Sequence, residues 1–477
     1  MRIVIAASEA VPFSKTGGLA DVAGTLFKEY VAMEHAAMLF VPFYKRTAEH
    51  FSTEIRYSGT EIEIPVGSAV RTCKVFTGTM GSSAPNIYFI GNEDYFFRDD
   101  IYGTPYGDYP DNDQRYAFFS KSVLEICKRL DLPIDIMHCN DWQTGLIPLY
   151  MKTIYRQVPA FKKTVSVLTI HNLGYQGVFP PQTLEITGLG MSVFNPEGLE
   201  FFGKVNFLKA GIVGADIITT VSKTYADEIR SPDFGFGLDG VLRKRNSSLV
   251  GVLNGIDYAA WDPVTDIFLP QNYNSSDLSG KQACKKHLIE KTSLRNTEPC
   301  PLICFIGRLS SQKGLDLLAD AVPDMINLGA NIIVIGKGDG RYQNMLHALN
   351  KRFGERFFFC TGFDEPLAHL TYAGSDIFLM PSSYEPCGLG QMIAMRYGTI
   401  PVAYRTGGLS DTIESNHTGF LFGEYSLPSF MRAVRKALKT FDDKRAWRKM
   451  IGNAMGRDFS WKKSARAYIA IYQNALK

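Results

Sequence analysis

Short, almost continuous apolar runs alternate with helical segments along the whole chain, and this alternation constrains the fold more than any other feature. Such runs are typical of strands buried on both faces, which occur in parallel sheets flanked by helices. The sequence therefore predicts an α/β fold with doubly wound sheets. Strands are predicted at MRIVIAA, IDIMHCND, TVSVLTIHN, ADIITTVS, PLICFIGR, NIIVIGKG, RFFFCTGF, DIFLMPSS and TIPVAYRT.

The length of the chain, 477 residues, is too great for a single hydrophobic core. A segment rich in Asn, Asp, Ser and Pro, LNGIDYAAWDPVTDIFLPQNYNSSDLSG, interrupts the strand pattern. After it a strand, a basic glycine-containing loop and a helix follow one another, as they do at the start of the chain. We therefore predict two Rossmann-like domains facing a central cleft, residues 1–255 and 256–455, and a final helical segment over 456–477.

The composition argues against several classes of partner. The 51 basic and 48 acidic residues leave a net charge of only +3, which does not indicate binding to nucleic acid or to a membrane surface. No apolar run is long enough to span a bilayer, and the first residues lack the pattern of a signal peptide. The eight cysteines form no C-x-x-C pair, so we expect reduced, buried thiols and a cytoplasmic location.

The opening of the chain places a lysine and two adjacent glycines where a predicted strand passes into a helix. In KTGGLADV, Lys15 supplies a positive charge, and Gly17 and Gly18 allow a ligand to approach the backbone closely. The free N–H groups and positive dipole end of a helix start attract anions. The stretch is a candidate phosphate-binding loop, and the alternative is a tight turn with a solvated lysine.

Two loops in the second half of the chain carry related chemistry. In GRLSSQKGLD, Arg308 follows a predicted strand and Lys313 lies at the next helix start, and two cations suit a diphosphate. In PSSYEPCGLGQ, Glu385 lies on the turn after a strand, where open α/β sheets bind ligands. Taken singly, these residues could also be two exposed cations and a helix-capping acid. A further loop, RTGGLSDT, again contains paired glycines.

Two other patterns are interpreted as decoys. GFGLDG has the G-x-G-x-x-G spacing at Gly235, Gly237 and Gly240, but it does not follow a strand and so lacks the context of a dinucleotide site. The acidic run from Asp111 to Asp113 lies in a polar loop without supporting histidines, which is weak evidence for a metal. We expect neither a metal nor another cofactor.

Eight segments occur in order over nearly the whole chain: KTGGLADV, CNDWQTGLIP, TIHNLGYQG, TTVSKTYADEI, GVLNGIDYAAWDP, GRLSSQKGLD, EPCGLGQ and RTGGLSDT. Taken together, these segments resemble those of bacterial glycogen synthases and the related starch synthases. The resemblance implies a GT-B glycosyltransferase that moves glucose from ADP-glucose to the non-reducing 4-OH of an α-1,4-glucan such as glycogen, with retention of anomeric configuration.

The resemblance also implies which residues hold the donor diphosphate. Arg308 and Lys313 would hold it from the second domain, and Lys15 with the amides of Gly17 and Gly18 would reach it from the first domain once the cleft closes. Fixed donors aimed at a phosphate that gains negative charge stabilise the transition state more than the ground state. The C-terminal helix would cross back to the first domain and act with the hinge.

On the glucose side, the resemblance places Glu385 beside the sugar, where it would position the ring and support an oxocarbenium-like centre without forming a covalent bond. His171 would meet the sugar through its carbonyl or ring, unless it is a structural histidine, and Asp141 and Asp21 would line the same pocket. The resemblance also implies that Asn254 lies at the hinge and that Phe363 lies beside the adenine, unless Phe363 is a core residue. Cys387, Gly388 and Leu389 would lie near the sugar. The thiol of Cys387 is either reactive or simply packed in the protein.

The chain departs from the wider superfamily in two places. Many relatives carry a second glutamate eight residues after the first, where this chain has Ile393 with Gln391 nearby. This pattern suits glycogen synthases and argues against a sucrose- or trehalose-type transferase. The run from His35 to Ala37 is also atypical and is interpreted as a variation in a helix-to-strand turn.

Three other functions are weighed against this one. A sibling transferase could use UDP-glucose or another acceptor, and only the resemblance favours ADP-glucose. A non-catalytic glucan-binding protein is disfavoured because Lys15, Arg308, Lys313 and Glu385 are all present. A nucleotide-dependent dehydrogenase is disfavoured because the G-x-G-x-x-G spacing falls outside a strand-to-helix turn.

Overall fold

The computed structural model describes residues 1–104, 106–131, 133–295, 300–362 and 364–477. The chain forms two compact units. The first consists of Met1–Val221, Ala226–Val252 and Trp461–Lys477, and the second of Ser222–Tyr225 and Leu253–Ser460. The sequence predicts boundaries after residues 255 and 455.

The first unit is built on a nine-stranded sheet, of which seven strands run parallel. The two remaining strands form an antiparallel hairpin at one edge, which the sequence reading did not predict. In their order across the sheet the strands are Leu249–Gly251, Ile217–Thr220, Val165–Ile170, Ile136–Asn140, Arg2–Ala6, Ala36–Pro42, Ile87–Gly91, Ala69–Gly78 and Arg56–Val66.

Most of the parallel strands of this sheet are buried, as is expected where helices pack on both faces of a sheet. The helices of this unit are Gly18–Ala32, Lys45–His50, Glu93–Phe96, Asn112–Leu130, Leu146–Lys152, Thr183–Thr187, Phe207–Gly214, Asp239–Lys244 and Trp461–Ala475, with 3₁₀ turns at Trp142–Thr144, Pro159–Phe161, Met191–Val193 and Asn246–Ser248. The helix Lys223–Glu228 begins in the second unit and ends in the first.

The C-terminal helix Trp461–Ala475 is part of the core of the first unit. The Tyr472 hydroxyl lies 2.7 Å from His138 Nδ1 and 2.9 Å from the hydroxyl of Tyr30. Full burial lowers the pKa of His138 to about 3, so this imidazole is neutral and shares its hydrogen bonds with hydroxyl groups.

Two small antiparallel pieces lie outside the main sheet of the first unit. One has three short strands in the order Val178–Phe179, Lys204–Asn206 and Glu200–Phe201. The other pairs Gly103–Thr104 with Gly107–Asp108. The turn between Phe201 and Lys204 contains only two residues.

The second unit has a six-stranded sheet that is parallel throughout, as predicted. In order across the sheet its strands are Phe357–Thr361, Asn331–Gly336, Leu302–Ile306, Ile377–Met380, Ile400–Tyr404 and Phe420–Phe422. Its helices are Ser279–Thr292, Leu315–Asn327, Gly340–Phe353, Glu365–Gly374, Gly390–Arg396, Gly407–Thr412, Leu427–Asp442 and Lys444–Met455, with 3₁₀ turns at Ser311–Lys313 and Gly354–Arg356.

The strand order reverses once in each sheet. In the second unit the reversal is at Leu302–Ile306, which lies between Asn331–Gly336 and Ile377–Met380. In the first unit it is at Arg2–Ala6, between Ile136–Asn140 and Ala36–Pro42. Loops that leave the carboxyl ends of strands at such a point diverge and open a crevice, which is where ligands bind in folds of this kind.

In the part of the chain that the structure describes, no helix is both long enough and apolar enough to span a bilayer.

Candidate functional site

In the second unit the structure brings Lys313 and Glu385 together at the point of strand reversal. Lys313 Nζ lies 2.5 Å from Glu385 Oε2, and Ser382 Oγ donates to the same oxygen at 3.0 Å. The side chains are 17% and 8% exposed, so the pair is largely shielded from water. Lys313 is on the 3₁₀ turn before the helix Leu315–Asn327, slightly earlier than the predicted helix start.

The loop that carries Glu385 is held by the neighbouring paired glycines. The Gly408 amide donates to the Glu385 carbonyl oxygen at 3.1 Å. A Cβ atom on Gly407 would overlap the Glu385 carbonyl oxygen, and one on Gly408 would overlap the carbonyl oxygen of Cys387. The glycines of RTGGLSDT are thus needed for close packing of two loops, which fixes the backbone position of Glu385.

Cys387 is buried, as its interpretation as a packed residue predicts. This residue is 6% exposed, and burial raises the pKa of its thiol to about 12. A neutral, buried thiol is a packing group and not a nucleophile. The amide of Asn254 donates a hydrogen bond to it, which ties the Asn254 segment to the Glu385 loop.

The residues that follow Glu385 make contacts within the protein. Gln391 Nε2 donates to the carbonyl oxygens of Cys387 and Gly388 at 3.0 and 2.9 Å. Ile393, at the position where many relatives in the superfamily carry a second glutamate, is buried and apolar. Leu389 is half-buried at the residue before the helix Gly390–Arg396.

Several polar groups on these loops face no protein partner. Arg308 is exposed just after the strand Leu302–Ile306, and its guanidinium makes no hydrogen bond or ion pair with other residues of the described ranges. Asn254 Oδ1, Ser310 Oγ and Ser410 Oγ are buried and likewise unpaired among the described residues. Buried polar atoms are normally hydrogen-bonded, so these atoms are candidates for ligand contacts.

In the first unit, the loop after the strand Arg2–Ala6 is held by a buried carboxylate. Glu9 is 3% exposed and accepts hydrogen bonds from the amide and the hydroxyl of Thr16. Burial raises the pKa of this carboxyl above its usual value, opposed by the hydrogen bonds from Thr16. Sequence reasoning missed Glu9, although an acid just beyond a strand end was a usable signal.

The residues predicted to bind phosphate, Lys15, Gly17 and Gly18, follow Glu9 along the chain. Lys15 Nζ forms an ion pair with Asp21 at 2.8 Å, with the two side chains 54% and 28% exposed. The nearest atom to a Cβ built on Gly17 would be Glu9 Oε1 at 3.8 Å, and nothing lies within 4 Å of one on Gly18. Packing within the protein therefore does not require these glycines, unlike Gly407 and Gly408. Their bare backbone is available to a ligand.

Asp141 and His171 meet at the carboxyl ends of two adjacent strands, Ile136–Asn140 and Val165–Ile170. The His171 amide donates to Asp141 Oδ1 at 2.7 Å. Burial raises the pKa of Asp141 to about 7, although amide hydrogen bonds from His171 and Asn172 oppose the shift. Asp141 also has a positive φ of 55°, which is an uncommon conformation for a residue other than glycine.

Asn140 fixes the tautomer of His171. Its Nδ2 donates to the carbonyl oxygen of Ala6 at 3.0 Å, so the side-chain oxygen faces His171 Nε2 at 3.0 Å. An oxygen can only accept, and therefore Nε2 carries the proton and Nδ1 is the acceptor nitrogen. Burial lowers the pKa of His171 to about 3, which keeps the ring neutral. Sequence reasoning did not single out Asn140, although it directly precedes Asp141.

The two decoy patterns have structural explanations. Asp111 accepts a two-point ion pair from Arg98 at 2.8 and 2.6 Å, and Asp113 accepts from the Thr183 hydroxyl at 2.6 Å. The first four residues of GFGLDG lie in the loop before the helix Asp239–Lys244, and its last two residues begin that helix. Across the described ranges, no three His, Cys, Asp or Glu side chains are grouped as a metal site would need. Phe363, predicted to lie beside the adenine, falls outside the described residues.

Comparison with protein families gives two matches that together cover most of the chain. A model of the starch synthase catalytic domain matches residues 2–244, and a model of glycosyl transferases group 1 matches residues 288–453. A curated glycogen synthase of Thermodesulfovibrio yellowstonii is 47% identical, with 100% of this chain and 98% of that protein aligned.

Solved structures agree with this assignment. The catalytic domain of starch synthase IV from Arabidopsis thaliana, bound to ADP and acarbose, is 32% identical with a TM-score of 0.91, covering 100% of this chain and 99% of that one. A sucrose-phosphate synthase from Thermosynechococcus elongatus is 16% identical with a TM-score of 0.61, covering 99% and 98%, and so shares the GT-B fold alone. The chain therefore belongs to the glycogen synthase and starch synthase family of glycosyltransferases.

Proposed function

We propose that the protein transfers glucose from ADP-glucose to the non-reducing 4-OH of an α-1,4-glucan, releases ADP and retains the anomeric configuration. The observation that carries the proposal is the Lys313–Glu385 pair at the strand reversal of the second unit, in a chain similar over its full length to glycogen synthases. A cation for the leaving diphosphate and a carboxylate for the sugar are adjacent there, as this reaction requires.

The leaving group determines what the loops must do. As the bond between the sugar and the diphosphate breaks, negative charge grows on phosphate and positive charge on the sugar ring. Lys313 and Arg308 are the cations available to that phosphate in the second unit, and donors held in place before the reaction stabilise its transition state. Lys15 and the bare amides of Gly17 and Gly18 offer the same chemistry in the first unit, and their action on this phosphate stays a prediction.

Donor binding would change the partner of Lys313. Its ammonium group forms an ion pair with Glu385 at 2.5 Å. A diphosphate competes for this ammonium, and Glu385 is then free to face the sugar. We propose that Glu385 stabilises the developing positive charge without forming a glycosyl-enzyme bond, and that the departing phosphate takes the proton of the attacking hydroxyl on the same face.

The neutral His171 ring suits the recognition of a sugar hydroxyl. With Nε2–H held by Asn140, Nδ1 can accept a hydrogen bond from a hydroxyl group. Asp141 holds the backbone of His171 through its amide, which sets the direction of the ring. We assign His171 to glucose binding and Asp141 to positioning it.

We propose ADP-glucose rather than UDP-glucose as the donor, and this choice is supported by the 32% identical starch synthase, which was solved bound to ADP. We further propose that no metal is needed, because the cationic side chains of Arg308 and Lys313 can meet the charge of the diphosphate. The cytoplasmic location is supported by eight cysteines that are all unpaired thiols, as expected in a reducing compartment.

A donor panel tests the proposal. Purified protein is incubated with glycogen and either ADP-[¹⁴C]glucose or UDP-[¹⁴C]glucose, with and without EDTA, and polymer-bound label is counted. We expect label from ADP-glucose that is insensitive to EDTA. Faster transfer from UDP-glucose would overturn the donor assignment, loss of transfer in EDTA would overturn the metal-free proposal, and no polymer label from either donor would overturn the function.

A further inference from the structure

Two exposed phenylalanines in the first unit occupy a backbone conformation that disfavours them. Phe202 has φ of 49° and is 81% exposed, and Phe236 has φ of 48° and is 41% exposed. A positive φ is a genuine outlier for a bulky side chain, and asparagine or glycine normally occupies it. Each of the two is followed by a glycine at positive φ, Gly203 and Gly237.

Phe202 stands at the tip of the hairpin between Glu200–Phe201 and Lys204–Asn206. Its two-residue turn, with positive φ at both positions, is the type that favours Asn-Gly. The Phe201 and Phe202 rings are 4.7 Å apart in an edge-to-face arrangement. The hairpin thus holds an aromatic ring in solvent at a position where a small polar residue would be more stable.

The two strained loops are neighbours. A Cβ built on Gly237 would lie 3.0 Å from Phe201 Cζ and 3.4 Å from Phe202 Cε2, so the Phe236–Gly237 backbone packs against the hairpin rings. Phe202 and Phe236 therefore belong to one patch, which we call the aromatic surface. Backbone strain that is repeated at two exposed rings of one patch suggests a functional constraint.

Gln176 ties the aromatic surface to the loop that carries His171. Its Nε2 donates to the carbonyl oxygen of Phe236 at 3.0 Å, and its Oε1 accepts from Asn206 Nδ2 at 2.7 Å. Gln176 is 9% exposed and lies five residues after His171, the residue assigned to glucose binding. The position of the surface is thus fixed relative to that loop by buried hydrogen bonds.

We propose that the aromatic surface binds an α-1,4-glucan chain, at glucose units beyond the one that accepts the new sugar. The inference rests on the proposed function, which makes a glucan the acceptor. Glucose rings present faces of C–H groups, and the electron-rich face of a phenylalanine ring packs favourably against them. A surface next to the glucose-binding loop then increases affinity for long acceptors and contributes little to short ones.

The substitution Phe202→Asn separates binding from stability. It removes the ring and places the favoured Asn-Gly pair in the turn, so we expect an unchanged or higher midpoint of thermal unfolding. The dissociation constant for glycogen, measured by affinity electrophoresis without donor, should rise about 5-fold or more. The KM for glycogen should rise with it, while kcat and the KM for maltotriose stay close to those of the wild type.

Two further variants serve as controls. Phe202→Trp keeps an aromatic face and should keep the affinity for glycogen. Tyr57→Ala removes another exposed ring of the same unit, 48% exposed on the edge hairpin, and should leave glycogen affinity unchanged.

Three results would overturn the inference: unchanged glycogen affinity in Phe202→Asn, an equal loss for maltotriose and glycogen, or a change of oligomeric state in place of a change in glucan binding. Failure of the proposed function looks different, because the wild-type protein would then transfer glucose to neither acceptor.

Discussion

Replacing Glu385 by glutamine tests the role of the Lys313–Glu385 pair. The carboxylate Oε2 accepts from Lys313 Nζ at 2.5 Å and from Ser382 Oγ at 3.0 Å, and the residue is 6% exposed. Glu385→Gln keeps the size of the side chain and an accepting oxygen but removes the negative charge. If Glu385 stabilises the positive charge that develops on the sugar, kcat should fall by about 10²–10³-fold, or about 3–4 kcal/mol.

The same variant should not weaken nucleotide binding. Glu385 competes with the diphosphate for the Lys313 ammonium, so its loss should leave ADP affinity unchanged or tighten it by up to about 10-fold, equivalent to 1.4 kcal/mol. The cost to folding should be small, because the amide oxygen can still accept from both donors. We expect a loss of about 1 kcal/mol, or about 2–4 °C in the midpoint of unfolding.

A second ion pair in the same unit provides a matched control. Lys285 Nζ lies 2.7 Å from Asp376 Oδ2, with the side chains 23% and 10% exposed. Asp376→Asn should lower stability by a comparable amount and leave kcat unchanged. Steady-state kinetics with ADP-glucose and glycogen, calorimetric titration with ADP and thermal unfolding give the three readouts. An unchanged kcat in Glu385→Gln, or ADP binding weakened more than about 10-fold, would refute the reasoning.

Three further predictions concern the loops of the first unit. Lys15→Ala should lower kcat/KM for ADP-glucose by about 10²-fold and change stability by less than about 1 kcal/mol, since its ion pair with Asp21 is exposed; unchanged kcat/KM would contradict its phosphate role. Asn140→Asp should raise the pKa of His171 from about 3, because a carboxylate beside Nε2 stabilises the imidazolium. The acid limb of the pH profile of kcat/KM should therefore move towards neutral pH. An acid limb that does not move would contradict the tautomer assignment. The pKa of Asp141 is raised from 3.8 to about 7, so the stability contributed by its neutral form is lost as pH rises through about 7. The free energy of unfolding, measured in urea, should therefore fall between pH 5 and 8, and it should fall more in the wild type than in Asp141→Asn. An equal fall in the two proteins would contradict the raised pKa.

The strands that position the site could be predicted because they are buried on both faces. The segments RIVIA, LICFI and IFLM are almost entirely apolar, IMHCN and VSVLTI are mostly so, and each of the five is a strand with parallel neighbours. Candidate loops followed directly, because ligands bind beyond the carboxyl ends of such strands. The residue types at these ends, lysine, arginine and glutamate, then indicated a phosphate and a sugar.

The contacts between these residues could not be predicted from the sequence. Lys313 and Glu385 are 72 residues apart, and they meet because Leu302–Ile306 and Ile377–Met380 are neighbours in the sheet. His171 and Asn140 meet because their strands are adjacent, although 31 residues separate them. Strand order is decided by packing of the whole sheet, which a linear pattern does not encode.

The edge hairpin Arg56–Val66 and Ala69–Gly78 could not be predicted from continuous apolar runs. Its strands alternate between charged and apolar residues, as in EIEIPV, because one face is exposed. The search for continuous apolar runs passes over this pattern, although a period of two residues is itself a strand signal. The burial of Cys387, which raises the pKa of its thiol, also depends on tertiary packing and could not be predicted from the sequence.

The fate of the transferred glucose is the most direct test of the account. Glycogen extended with ADP-[¹⁴C]glucose by the purified protein is digested with β-amylase, which releases maltose from non-reducing α-1,4-linked ends. The account predicts that essentially all polymer-bound label appears in maltose. Label that stays in the resistant core, or polymer that acquires no label, would contradict it.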